Sequence, residues 1–180
     1  CTLDTSVSFH DPAAGERMLA AGRDHLALAA RLGAGGIRVF GERVPEGESR
    51  AEVEARIAAG LRELGIFAEP LGVDVLLETH GDFSSGRVVR RIMELADRPR
   101  VKAIWDIHHP FCRDGETPAE TLALLGGYLG AVHLKDAKLA AGDRACLLGE
   151  GDIPVRECLD LLKGAGYDGR SEERRVGKEC

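Results

Sequence analysis

VKAIWDIHHPF (101–111) opens as a buried strand and closes in an acid and two histidines. Val101, Ala103, Ile104, Trp105 and Ile107 make the nearly continuous apolar run of a strand covered on both faces. Asp106, His108 and His109 are side chains that hold metals and substrates instead. The stretch therefore predicts a parallel strand between helix layers whose carboxyl end carries chemistry.

Working outward, strands alternate with helices. Residues 1–7, 36–40, 73–79 and 130–136 read as further strands. Helical spacing runs over 13–32, over 49–68, from Ser84 or Ser85 to Ala96, from Pro118 to Leu125, and over 154–166. Ser49 with Glu52 has the form of a capping box, and Pro154 suits a first helical turn. This alternation implies parallel pairing through right-handed crossovers, as in an open doubly wound sheet or a (β/α)8 barrel. GAGG (33–36) precedes a strand, so it is a turn and not a dinucleotide fingerprint, and no phosphate-binding GxxxxGK[ST] occurs.

The polar exceptions separate the two architectures. Arg38, Glu78 and His80, then Asp106, His108 and His109, then His133 and Lys135 all fall at the carboxyl ends of strands. Glu78 and His80 share a strand face, as do His133 and Lys135. In a barrel these faces converge at the mouth where catalytic groups gather, whereas an open sheet spreads them along an edge. A lone histidine at a strand end is more often structural, but three strands repeating the pattern favour the barrel. Glu, Asp and His from three strands form a mixed O/N donor set suited to Mn2+, Mg2+, Co2+ or Zn2+.

Bulk properties narrow the partners. The 180 residues are 44% hydrophobic and 30% charged, with a net charge of −6. That acidic balance speaks against a nucleic-acid surface, and RVVRR (87–91) reads as a solvated helix face. No apolar stretch approaches the ~20 residues of a membrane span. The opening CTLDTSVSFH lacks the basic and apolar segments of a secretory leader. Five scattered cysteines without a CxxC pair fit a reducing cytoplasm.

LLETHGDF, WDIHHPF, VHLKDA and LGEGDIP together resemble, in order and spacing, the sugar phosphate isomerase/epimerase family with the xylose-isomerase-like barrel. The resemblance runs from Cys1 to about Gly169. It implies a partial (β/α)8 TIM barrel lacking its first unit and its last strand. It also implies one divalent metal held by Glu78, Asp106, His133 and a second Glu, with Glu78 as the catalytic base. His109 and Lys135 match substrate-contacting positions, and His80, His108 and Arg38 are further candidates at the mouth. Arg43 is expected at the surface and Glu150 as a loop-fixing residue.

The implied chemistry is proton abstraction beside a carbonyl, through an enediolate, on a small sugar or sugar phosphate. A homo-oligomer is compatible with it. Dehydration of a polyol ketone and non-catalytic sugar binding are the alternatives, while phosphodiester cleavage is disfavoured by the acidic balance. RSEERRVGKEC (170–180) resembles the in-frame translation of a sequencing-library adapter, which makes it a non-native tail. Arg174 then stands about where the second Glu belongs, Glu172 or Glu173 substitutes only by accident, and the 180-residue chain itself is expected to be inactive.

Overall fold

The computed structural model describes residues 1–173; Arg174 and the rest of the tail lie outside them. One sheet dominates. It contains β1 (Thr2–Leu3), β2 (Gly36–Val39), β3 (Asp74–Glu78), β4 (Val101–Asp106) and β5 (Leu129–Leu134), each pairing in parallel with the next. Between them run α1 (Gly15–Leu32), α2 (Arg50–Ala68), α3 (Gly86–Ala96), α4 (His108–Asp114) and α5 (Pro118–Leu125). A small antiparallel hairpin, β6 (Asp136–Lys138) with β7 (Arg144–Cys146), follows β5 and leads to α6 (Val155–Gly164). The chain then returns as β8 (Arg170–Glu173), parallel to β5.

β8 adds a strand beyond Gly169, where the motif resemblance stops. Its side chains are all exposed. Parallel pairing is made by backbone groups, so a sequence without strand patterning still fills the position.

The two faces of the sheet carry unequal cores. Ile37, Val39, Val75, Leu77, Ala103, Trp105, Val132 and Leu134 point outward into one large apolar cluster under the helices. The inner face holds a separate cluster of only three buried residues, Leu76, Ile104 and Ala131. Pairing register puts Arg38 beside Leu76, Glu78 beside Ile104 and Asp106 beside His133. In parallel strands, paired residues share a face, so these four polar side chains stand on the inner face above that small cluster.

A bulge sets this arrangement. Ala103 pairs with Leu129 but Ile104 pairs with Ala131, which leaves Gly130 as an extra residue in β5. Leu129 packs outward against the large cluster, and Ala131 faces inward. A Cβ on Gly130 would come within 2.6 Å of Leu76 Cδ2, so the bare backbone makes room for the inner cluster.

Local chemistry explains where the elements begin and end. Ser49 and Glu52 form the expected capping box on α2. Residues 1–7 pair as a ladder only at Thr2–Leu3, because Thr5 Oγ1 donates to the Arg38 carbonyl at 2.6 Å and displaces a backbone donor. α4 starts directly after β4, where no helix is expected. Pro110 is harmless in its first turn, and the His108 N–H donates to Asp106 Oδ1 at 2.9 Å. α3 is capped from a distance: Glu116 accepts from the backbone N–H groups of Gly86 (2.9 Å) and Arg87 (3.4 Å). In the basic run, Arg90 pairs with Glu94 on its own helix, and Arg91 pairs with the buried Glu54 of α2.

Candidate metal centre at the mouth

Glu78 closes β3, Asp106 closes β4 and His133 lies one residue from the end of β5. All three are at least 95% buried, and one ligand atom from each lies within 4.8 Å of the others. His133 Nδ1 is 2.6 Å from Glu78 Oε1, and Arg38 Nη1 donates to Glu78 Oε2 at 3.0 Å. The rest of the Arg38 guanidinium donates to Asp4 Oδ1 through Nε (2.8 Å) and Nη2 (2.5 Å). Expected at the substrate, Arg38 is instead buried and turned onto two carboxylates, with its plane over the Phe40 ring.

Asp106 is held at its backbone by Thr79. Its N–H donates to Thr79 Oγ1 at 3.0 Å, and that hydroxyl donates back to the Asp106 carbonyl at 3.3 Å. Burial, and then the neighbouring Glu78 charge, push the Asp106 carboxyl up to about 7. Burial lowers the His133 pKa, but the hydrogen bond and charge of Glu78 outweigh it and the net direction is upward. Two acids and an imidazole thus sit buried together, and a divalent cation would offset the charge that burial penalises. The donor set fits such an ion.

Around this centre stand the other candidates. His109 Nε2 is 3.7 Å from Asp106 Oδ2, and its ring packs edge-on against His80 (4.6 Å) and His108 (5.0 Å). Burial, followed by the charges of those two histidines, holds His109 down to about 2, so it is a neutral ring. Burial also lowers His80 and His108. Lys135 is half-buried, and its charge acts on Asp106, His108 and His109. His108 Nε2 lies 2.5 Å from Asp143 Oδ1, while one ligand atom of His108 is also within 4.8 Å of Asp106 and His109. Arg43 is exposed, as expected.

The loop after β7 is fixed by Asp136 and Asp152, and the exposed Glu150 does not share that work. Asp136 is 1% exposed and accepts four backbone N–H groups, from Ala137, Gly149, Gly151 and Ile153, at 2.8 to 3.2 Å. Asp152 Oδ2 accepts from the Leu139 N–H at 2.8 Å. The cue in the sequence is LGEGDI, whose glycines bare their backbone donors to an acid in KDA. Glu172 stands in register with His133, on the same face, but it is exposed and outside the group of gathered ligand atoms.

Comparison with known proteins places this geometry. The family described as xylose isomerase-like TIM barrel matches residues 2–172. A fructoselysine 3-epimerase of Shigella flexneri is 31% identical over 121 residues, 64% of this chain and 43% of the relative. The chain thus spans less than half the length of that curated relative. The structure of D-psicose 3-epimerase with D-tagatose from Clostridium cellulolyticum superposes with a TM-score of 0.81 at 20% identity, covering 99% of this chain and 65% of the other. A xylose isomerase-like TIM barrel protein from Mycobacterium smegmatis in complex with magnesium gives 0.77 at 20% identity, covering 99% and 67%. At these identities the two superpositions speak for the fold.

Proposed function

This chain belongs to the xylose isomerase-like TIM barrel family, and we propose that it is the cation-binding part of an isomerase or epimerase acting on a sugar or sugar phosphate. The observation that carries the reading is the meeting of Glu78, Asp106 and His133 from three consecutive strands, buried and within ligand distance. These residues would hold one divalent ion: Mn2+, Mg2+, Co2+ or Zn2+. Once bound, that ion supplies Lewis acidity at the carbonyl and lowers the cost of enediolate charge. The epimerase names of the relatives favour a ketose substrate and inversion beside its carbonyl.

The residues divide the remaining work. Glu78 takes the carbon-bound proton, and Arg38 on one oxygen and His133 on the other fix its direction. His109, neutral and beside Asp106, exchanges hydrogen bonds with a substrate hydroxyl. Lys135 compensates negative charge as it develops. His80 braces the His109 ring, and Arg38 acts as a positioning residue.

The proton returned to the opposite face needs a second carboxylate, and among the described residues none joins the gathered ligands. We take residues 1–169 as a partial barrel and, on the adapter-like sequence alone, 170–180 as a tail of other origin. Turnover is assigned to the completed barrel, and the 180-residue chain is expected to bind the ion without it.

The test is Mn2+ titration of the chain, followed by solvent-deuterium exchange into a panel of ketoses and their phosphates by a barrel completed with its missing units. Binding abolished by Glu78→Gln, together with cation-dependent exchange in the completed barrel, is the expected result. Binding without exchange there would favour a polyol-ketone dehydratase or a sugar-binding barrel. Absence of Mn2+ binding would sink the reading.

A further inference from the structure

Three ionisable side chains on the rim lie outside the Glu78–Asp106–His133 group. His108 and Cys112 lie one helical turn apart on α4, so they project from the same face. Asp143 reaches them from the turn between β6 and β7, on a backbone with φ 62°. Its Oδ1 is 2.5 Å from His108 Nε2, and one ligand atom from each of the three lies within 4.8 Å of the others. His108 is 2% exposed, and its other ring nitrogen, Nδ1, is buried without a hydrogen-bond partner.

We propose that His108, Cys112 and Asp143 form a second cation site, separate from Glu78–Asp106–His133 and suited to a softer ion such as Zn2+. The thiol decides the class of ion. The centre at the mouth offers oxygen and nitrogen only, whereas sulfur with imidazole and one carboxylate is a zinc donor set. Bonds of about 2.0–2.3 Å to zinc place ligand atoms roughly 3.3–3.8 Å apart, so His108 Nε2 and Asp143 Oδ1 must part from 2.5 Å as the ion enters. Asp143, with its side chain 51% exposed, leaves both an entry path and a fourth position for water.

Binding exchanges the His108–Asp143 hydrogen bond for one bond from each to the ion. The Cys112 thiol releases its proton to solvent as the thiolate–metal bond forms, and no oxidant is involved. The consequence is mechanical. The hairpin, which starts three residues beyond His133, becomes tied to α4 and so to the strand that carries Asp106.

Co2+ titration of the 180-residue chain tests the proposal, because only a cysteine-bound ion shows thiolate-to-cobalt charge transfer. The band is expected to appear, to bleach on addition of Zn2+, and to persist in Glu78→Gln. It should vanish in Cys112→Ser, and Asp143→Asn should weaken the ion at least tenfold. No band at excess Co2+, a band surviving Cys112→Ser, or unchanged affinity in Asp143→Asn would overturn it. Alkylation of Cys112 in the unmodified chain gives a check free of folding effects. Zn2+ is expected to slow it at least tenfold, and an unchanged rate would also overturn the proposal.

Discussion

Asp106 and Asp136 are both about 99% buried; Asp106 ends β4, and Asp136 opens the hairpin that follows the neighbouring β5. Asp136 accepts four backbone N–H groups and is saturated. Asp106 offers its carboxylate to one backbone N–H, faces the charge of Glu78, and is pushed up to about 7. The difference teaches how to read a buried acid. Where the backbone has supplied its donors, the acid holds a loop; where donors are withheld, its charge is kept for something that arrives.

Removing the saturated acid should do the greater damage. Asp136→Ala strands four backbone donors and should cost roughly 3–5 kcal/mol in urea denaturation. A loss below about 1 kcal/mol would show that the loop holds without it. The other acid should respond with the opposite sign. The Asp106 carboxyl titrates in the fold near 7 against an ordinary 3.8, so ionising it opposes folding progressively as pH rises between those values. In chelator, Asp106→Asn should match the parent at pH 4 and exceed it by about 2–4 kcal/mol at pH 8. A gain that is flat across this range would place the cost elsewhere.

The same Asp106→Asn change should lower Mn2+ affinity by at least about 10–100-fold, as should His133→Gln. Isothermal titration at pH 7.5 reads this, and unchanged affinity in either variant would remove that residue from the centre. Glu116 lies between the extremes, giving its half-buried carboxylate to the start of α3. Glu116→Gln should cost only about 1 kcal/mol in thermal or urea unfolding. A cost as large as that of Asp136→Ala would erase the distinction between a half-buried cap and a buried one.

What could be read from the sequence followed this same division. Glu78, Asp106 and His133 were legible because each interrupts an apolar run at a strand end, and the barrel followed from their convergence. Arg38 was legible as a mouth residue, but its partners were not, since Asp4 and Glu78 lie far from it in the chain. Thr79 and Asp136 were hard to see because their partners are backbone groups, marked in the sequence at most by the glycines of LGEGDI, and Glu116 because the groups it accepts from on α3 lie about thirty residues away. α4 was obscured by Pro110, a breaker in most positions and neutral in a first turn. The hairpin β6–β7 was too short for a period-two pattern to show.

The extra residue at Gly130 has a further consequence when β5 is viewed as a wave of period two. One inserted residue advances the phase by half a wavelength, so everything after it exchanges sides. If Gly130 were kept but paired regularly, Ile104 would face Gly130, and Ala131 and His133 would fall on the outer face among the helices. Val132 would then turn toward the mouth. The bulge thus fixes the parity of the strand: a β5 shortened by Gly130 would keep His133 at the mouth in a regular ladder, whereas a β5 that kept Gly130 but lost the bulge would turn His133 away.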